Sequence, residues 1–177
     1  ASKGRGLGNK FLDDIRQADV LIHVIDLSGK TDEEGRILTE SKRNPIDDIT
    51  MIETELDNWI YDIINKDWDQ IGRTSTRDKK KFINLLSDKL SGLSINQNQI
   101  NLSIKNLKLE TKNITEFSNE DKMRFVSEIR KISKPIIIAG NKIDLAETND
   151  YENIKKEGIE IIPTASEAEL LLRRASE

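Results

Sequence analysis

Two nearly continuous apolar runs, Asp19-Val20-Leu21-Ile22-His23-Val24-Ile25-Asp26 and Pro135-Ile136-Ile137-Ile138-Ala139, stand more than a hundred residues apart. A third, Gly158-Ile159-Glu160-Ile161-Ile162-Pro163, follows soon after the second. Each is β-like and short, and the first two carry the pattern of strands covered on both faces in a parallel sheet. Polar loop residues and helical sequence follow each one, over 31–41, 150–157 and 165–177. That alternation predicts an α/β layered domain with ligand groups beyond the carboxyl ends of the strands, where Asp26 and Asn141 fall. The long gap is far more than a crossover needs, so it predicts an inserted helical segment.

Within the gap, Ile49, Ile52, Leu56, Trp59 and Ile63 recur at spacings of 3, 4, 3 and 4, a heptad seam on one helix. Phe82, Leu85, Leu86, Leu90 and Leu93 mark a second amphipathic helix. A third is expected over 96–109 and a fourth over 119–132, where Glu120 and Asp121 suit a helix start. The first three read as an all-α, coiled-coil-like insertion and the fourth as a return to the sheet. The expected divisions are therefore 1–43, 44–118 and 119–177. Charge within the insertion is polarised: residues 45–70 hold eight acids and one base, and residues 71–112 hold nine bases and three acids. Pairing of an acidic with a basic helix is one reading. The other is that Arg73, Arg77, Lys79, Lys80 and Lys81 touch RNA phosphates.

Composition narrows the classes. A formal net charge of -4 argues against a protein that coats nucleic acid as a whole, and without cysteine there are no disulfides or thiolate metal sites. No apolar run approaches the ~20 residues that span a bilayer. A soluble cytoplasmic protein without membrane contact is the expectation.

Asn141-Lys142-Ile143-Asp144 directly follows the second run. A carboxylate at Asp144 can accept hydrogen bonds from guanine N1–H and its exocyclic amine, a pair adenine cannot supply. Such charge-assisted bonds are worth roughly 1.5–3 kcal/mol each when water is excluded. A site of this kind rejects a base lacking those donors by up to about 10⁴-fold. Lys142 can lay its methylene stem over the base, and Asn141 can bond neighbouring backbone. The plain alternative is a polar turn. Pro163-Thr164-Ala165-Ser166 lies one strand later, where small residues would let a backbone N–H approach guanine O6. A helix cap at Thr164 or Ser166, completed by Glu167 or Glu169, is compatible with that.

Other motifs exclude more than they assign. Ser28-Gly29-Lys30-Thr31 is no phosphate loop, because the place of its first glycine is Val24, inside a strand. No strand precedes Gly4, Gly6 and Gly8, so a dinucleotide fingerprint is not expected there. His23, the only histidine, lies within a strand and suits a structural role; no metal site is expected. Asp26 suits loop capping better than magnesium binding.

Together these pieces resemble one family. Gly4-Arg5-Gly6-Leu7-Gly8-Asn9-Lys10 and the residues to Asp19 are similar to the glycine-rich second switch of Obg-like GTPases and its helix. Ser28 to Gly35 is similar to the next loop of the YchF/Obg-like branch. Asn44-Pro45-Ile46-Asp47-Asp48-Ile49 through Trp59 and Trp68 resembles the insertion of archaeal members. The resemblance implies a P-loop-type G domain that binds GTP, or ATP in some members, with magnesium, hydrolyses the γ-phosphate and associates with ribosomes. It implies guanine contacts at Asn141, Lys142, Asp144, Ala165 and Ser166. The P-loop, first switch and magnesium-contacting Asp of the family have no counterpart here, and Ala165-Ser166 stands where Ser-Ala is usual. The expectation is an internal piece of a longer GTPase that does not hydrolyse GTP by itself; its catalytic residue is not identified. Two rival readings remain: a non-enzymatic helical adaptor for RNA or a ribosomal protein, and an ATP-selective member.

Overall fold

The computed structural model describes residues 14–32, 34–39, 42–75, 78–109 and 113–176. The three expected strands are present as β1 (Leu21–Asp26), β2 (Ile136–Asn141) and β3 (Ile161–Pro163), in the order β1-β2-β3. The helices are α1 (Pro45–Asn65), α2 (Trp68–Thr74), α3 (Lys79–Leu90), α4 (Gln97–Asn106), α5 (Asn119–Ser133), α6 (Thr148–Lys156) and α7 (Ser166–Ala175). Short 3-10 turns occupy Ser91–Leu93 and Ile114–Glu116. No helix among the described residues is long and apolar enough to cross a membrane.

Two compact units form. One takes in residues up to Leu21 together with Glu53–Pro135, the other Ile22–Ile52 with Ile136–Glu177. This division differs from the linear one read from the sequence, because α5 sends Phe125, Val126 and Ile129 into the helical core instead of onto the sheet. That core gathers around Trp68, whose ring meets Phe82 edge-on at 5.7 Å and Phe125 at 6.2 Å. Around it pack Ile60, Ile64, Leu86, Leu90 and Ile100. The buried line on α1 runs Leu56, Ile60, Ile64, and the expected seam members Trp59 and Ile63 only flank it. Leu56, Ile60 and Ile64 stand four apart, close enough to one turn of a 3.6-residue helix to share a face. Local signals set the helix starts: Asn96 with Gln99, and Ser118 with Asp121, form capping boxes.

The acidic face of α1 is answered by α5 and not by a basic partner helix. Arg130 is 2% exposed; its Nε donates to Asp57 Oδ1 at 2.6 Å and its Nη1 to Glu53 Oε1 at 3.5 Å. A guanidinium taken out of water needs such partners. Lys134, also buried, donates from Nζ to the carbonyls of Arg16 at 2.9 Å and Ala18 at 2.6 Å, closing the end of the helical turn over 14–17. Burial pushes the Lys134 ammonium below its usual range, with Asp19 partly opposing.

In the sheet unit, Ile138 lies beside Ile161 and Gly140 beside Pro163 in a parallel pairing. Leu21 N–H donates to Pro135 O and Leu27 N–H to Asn141 O, both at 2.9 Å, a constant offset that keeps β1 parallel to β2. One face carries Ile25, Ile138 and Ile161 into a core with Leu27, Ile49 of α1 and Ile154 of α6. The other face corrects the expectation of two covered faces. Ile22 is 67%, Val24 61%, Ile137 41% and Ile162 53% exposed. Period-2 alternation puts these four on one side, and no described residue buries them.

Candidate functional site

Beyond the carboxyl ends of β2 and β3, two loops are fastened to each other. Thr164 N–H donates to Gly140 O at 2.8 Å, and Ile143 N–H donates to Thr164 O at 3.1 Å. Asn141 Oδ1 accepts from Ser166 N–H at 3.0 Å and from Ser166 Oγ at 2.9 Å. One amide side chain thus ties the strand carrying the polar tetrapeptide to the first turn of α7. This use of Ser166 overturns the capping expectation: the residue before α7 is Ala165, with no side-chain cap, and the Ser166 hydroxyl goes to Asn141.

Gly140 makes the approach of these strands possible. A Cβ there would lie 2.5 Å from Leu27 Cδ1 and 2.7 Å from Ile161 Cδ1. Any side chain would displace a fully buried leucine.

Lys142 sits at φ 62°, a left-handed conformation that costs a non-glycine residue of order 1 kcal/mol. Its Nζ donates to Asp26 Oδ2 at 2.8 Å. Asp26 also accepts from Thr31 Oγ1 at 2.6 Å, Ser28 Oγ at 2.6 Å and Ser28 N–H at 2.9 Å. Burial works to raise its pKa, but the bonds from Lys142, Ser28 and Thr31 outweigh it and hold the carboxyl at about 2. The Asp26 carboxylate is therefore charged at any pH near neutrality. Asp26 holds its loop as expected, and Ser28 and Thr31 serve that carboxylate instead of a phosphate cradle.

Asp144 is exposed, and no described residue bonds to its side chain. It follows Ile143, which lines an open cavity of about 740 Å³ together with Thr164, Ala165 and Ser166. A second cavity, about 360 Å³, is lined by Asp26, Thr31, Asn141 and Lys142, with His23 on its wall. Asn141, Lys142, Ile143 and the 164–166 turn are thus brought together, with Asp144 next in chain. Gly4, Gly6 and Gly8 lie outside the described residues. Among the described residues no group of three His, Cys, Asp or Glu side chains could hold a metal ion.

No family model matches the chain. It is 42% identical over 178 residues to an uncharacterized GTP-binding protein of Methanocaldococcus jannaschii, covering 99% of this chain and 44% of that protein. It is similar to the crystal structure of a GTP binding protein from Pyrococcus horikoshii OT3, with a TM-score of 0.80 and 38% identity, over 94% of this chain and 49% of that one. Over 106 residues, 58% of this chain and 28% of the relative, it is 32% identical to the ribosome-binding ATPase YchF of Mycoplasma pneumoniae. The homologues it matches are YchF/Obg-type GTP-binding proteins. It spans less than half the length of these relatives.

In this chain, sequence reasoning missed the tie between Asp26 and Lys142. Its only signal was an acid closing β1 just before two hydroxyl residues. The clash that fixes Gly140 gave no signal at all, because it depends on which side chains the fold brings against that position.

Proposed function

We propose that this chain is the base-recognition part of a GTP-binding protein that hydrolyses GTP in its complete form. One observation carries the reading: Asn141 fastens the Ala165-Ser166 turn to the loop that bears Lys142 and Asp144. Asp144, with its acceptors open, takes guanine N1–H and the 2-amino group. Lys142 covers one face of the base with its stem. Ser166 N–H is already given to Asn141, which leaves Ala165 N–H for guanine O6. Magnesium is expected with GTP in the complete protein, but the described residues offer no acidic cluster for it.

Competition of GTP against ATP for the complete protein tests this. Guanine is expected to win by at least ten-fold, since an adenine leaves the Asp144 carboxylate unpaired. Equal or stronger ATP binding would transfer the protein to the ATP-selective reading that the YchF relative's name carries.

Ribosome association is a second proposal. Lys79, Lys80 and Lys81 are all exposed at the start of α3, with no described acid pairing them. Arg73, near the end of α2, is exposed as well, while Arg77 lies outside the described residues. Three adjacent cations at a helix start oppose the macrodipole, a local cost that phosphate contacts would offset. Lys79→Glu, Lys80→Glu and Lys81→Glu together should remove co-sedimentation of the complete protein with ribosomes and spare GTP affinity. Undiminished co-sedimentation would reduce the patch to a solvated surface.

A further inference from the structure

We propose that Asp26 is a positioning residue of the base site, fixing Lys142 so that its stem is set to receive the purine before any nucleotide arrives. The inference rests on the base-recognition reading above and extends it to a residue outside the Asn-Lys-x-Asp segment.

The geometry builds from the loop upward. Gly29 turns the chain after β1 at φ 63°, where a Cβ would clash with Arg43 O. That turn brings Ser28 and Thr31 back onto the Asp26 carboxylate. Oδ1 accepts Ser28 N–H and Oγ; Oδ2 accepts Thr31 Oγ1 and Lys142 Nζ. Both oxygens are therefore held before the lysine is added, and the side chain is only 12% exposed. A lysine left free samples many rotamers, and a base stacking on it must first order it. Tethering the ammonium at 2.8 Å does that ordering in advance. The Ser-Gly-Lys-Thr stretch thereby gains a role as the frame that orients Asp26.

Stacking on a methylene stem does not distinguish purines, whereas the Asp144 carboxylate does. Loss of Asp26 should then weaken GTP and ATP by the same factor and leave their ratio intact. The test is a double-mutant cycle on the complete protein, with GTP and ATP affinities and thermal midpoint measured for Asp26→Asn, Lys142→Met and the two combined. Asp26→Asn keeps the oxygen that accepts from Ser28, while its amide replaces the oxygen that accepts from Thr31 and Lys142, so the charge that holds the ammonium is lost. The expected result is a roughly ten-fold loss for either single variant, and a double variant no weaker than Lys142→Met alone. Ser28→Ala with Thr31→Val, which keeps the ion pair, should lower the midpoint more than the affinity. If Lys142→Met weakens GTP while Asp26→Asn has no effect, or its loss simply adds to that of Lys142→Met, the positioning role is overturned. If Lys142→Met leaves GTP binding unchanged, the base-site reading itself falls, and this inference with it.

Discussion

Replacing Asp144 by Asn in the complete protein is expected to lower GTP affinity by roughly a hundred-fold and to raise affinity for xanthosine triphosphate. The carboxylate has two acceptor oxygens, and guanine offers two donors in the same plane. An amide keeps one acceptor and brings a donor that faces the 2-amino group of guanine. Losing one charge-assisted bond and leaving a donor unmatched is worth about 3 kcal/mol in a site closed to water. Xanthine carries an oxygen at that carbon, so the same donor then finds an acceptor. Titration with GTP, xanthosine triphosphate and ATP reads out all three. GTP affinity within a factor of two of the unmodified protein would remove Asp144 from base reading. Because Asp144 is exposed and unbonded among the described residues, its replacement should leave the folded state intact.

The second large effect lies in the helical unit. Asp57→Ala is expected to destabilise it by about 3 kcal/mol, since the Arg130 guanidinium stays buried with, among the described residues, only the longer contact to Glu53. The cost comes less from a lost attraction than from a cation left in an apolar surrounding. Replacing Arg130 by Met together with Asp57 by Leu should recover most of the loss, because shape is kept and no charge remains to be satisfied. Urea denaturation followed by tryptophan fluorescence is suited to this, with Trp68 in the core of the same unit. A loss below about 1 kcal/mol for Asp57→Ala would mean that water reaches the guanidinium.

The sheet and the polar tetrapeptide were legible because each is written locally. Apolar runs of five to eight residues, with Asp26 and Asn141 at or just past their ends, mark strands and their carboxyl ends without help from the rest of the chain. The start of the helix expected from 119 was legible for the same reason, since Glu120 and Asp121 lie in its first turn. What could not be read were properties that arise when distant segments meet. Trp68, Phe82, Phe117 and Phe125 are scattered over nearly sixty positions, and only folding shows that their rings touch. Arg130 reads as one more surface charge on α5 until α1 is laid beside it. The two strands appeared buried on both sides because their sequences are apolar throughout. An apolar residue does not reveal whether anything covers it, and Ile22 and Val24 face outward among the described residues. The fastening of Ser166 to Asn141 joins positions 25 residues apart, so a capping role was the natural local reading.

Gly140 couples mechanical tightness to chemistry. A close approach in the sheet unit lies one residue before the recognition loop and involves Leu27, the immediate neighbour of Asp26. A side chain at that position would be felt twice, in the packing around Leu27 and Ile161 and in the placement of the loop that follows. Wear at the hinge pin would be noticed first at the latch.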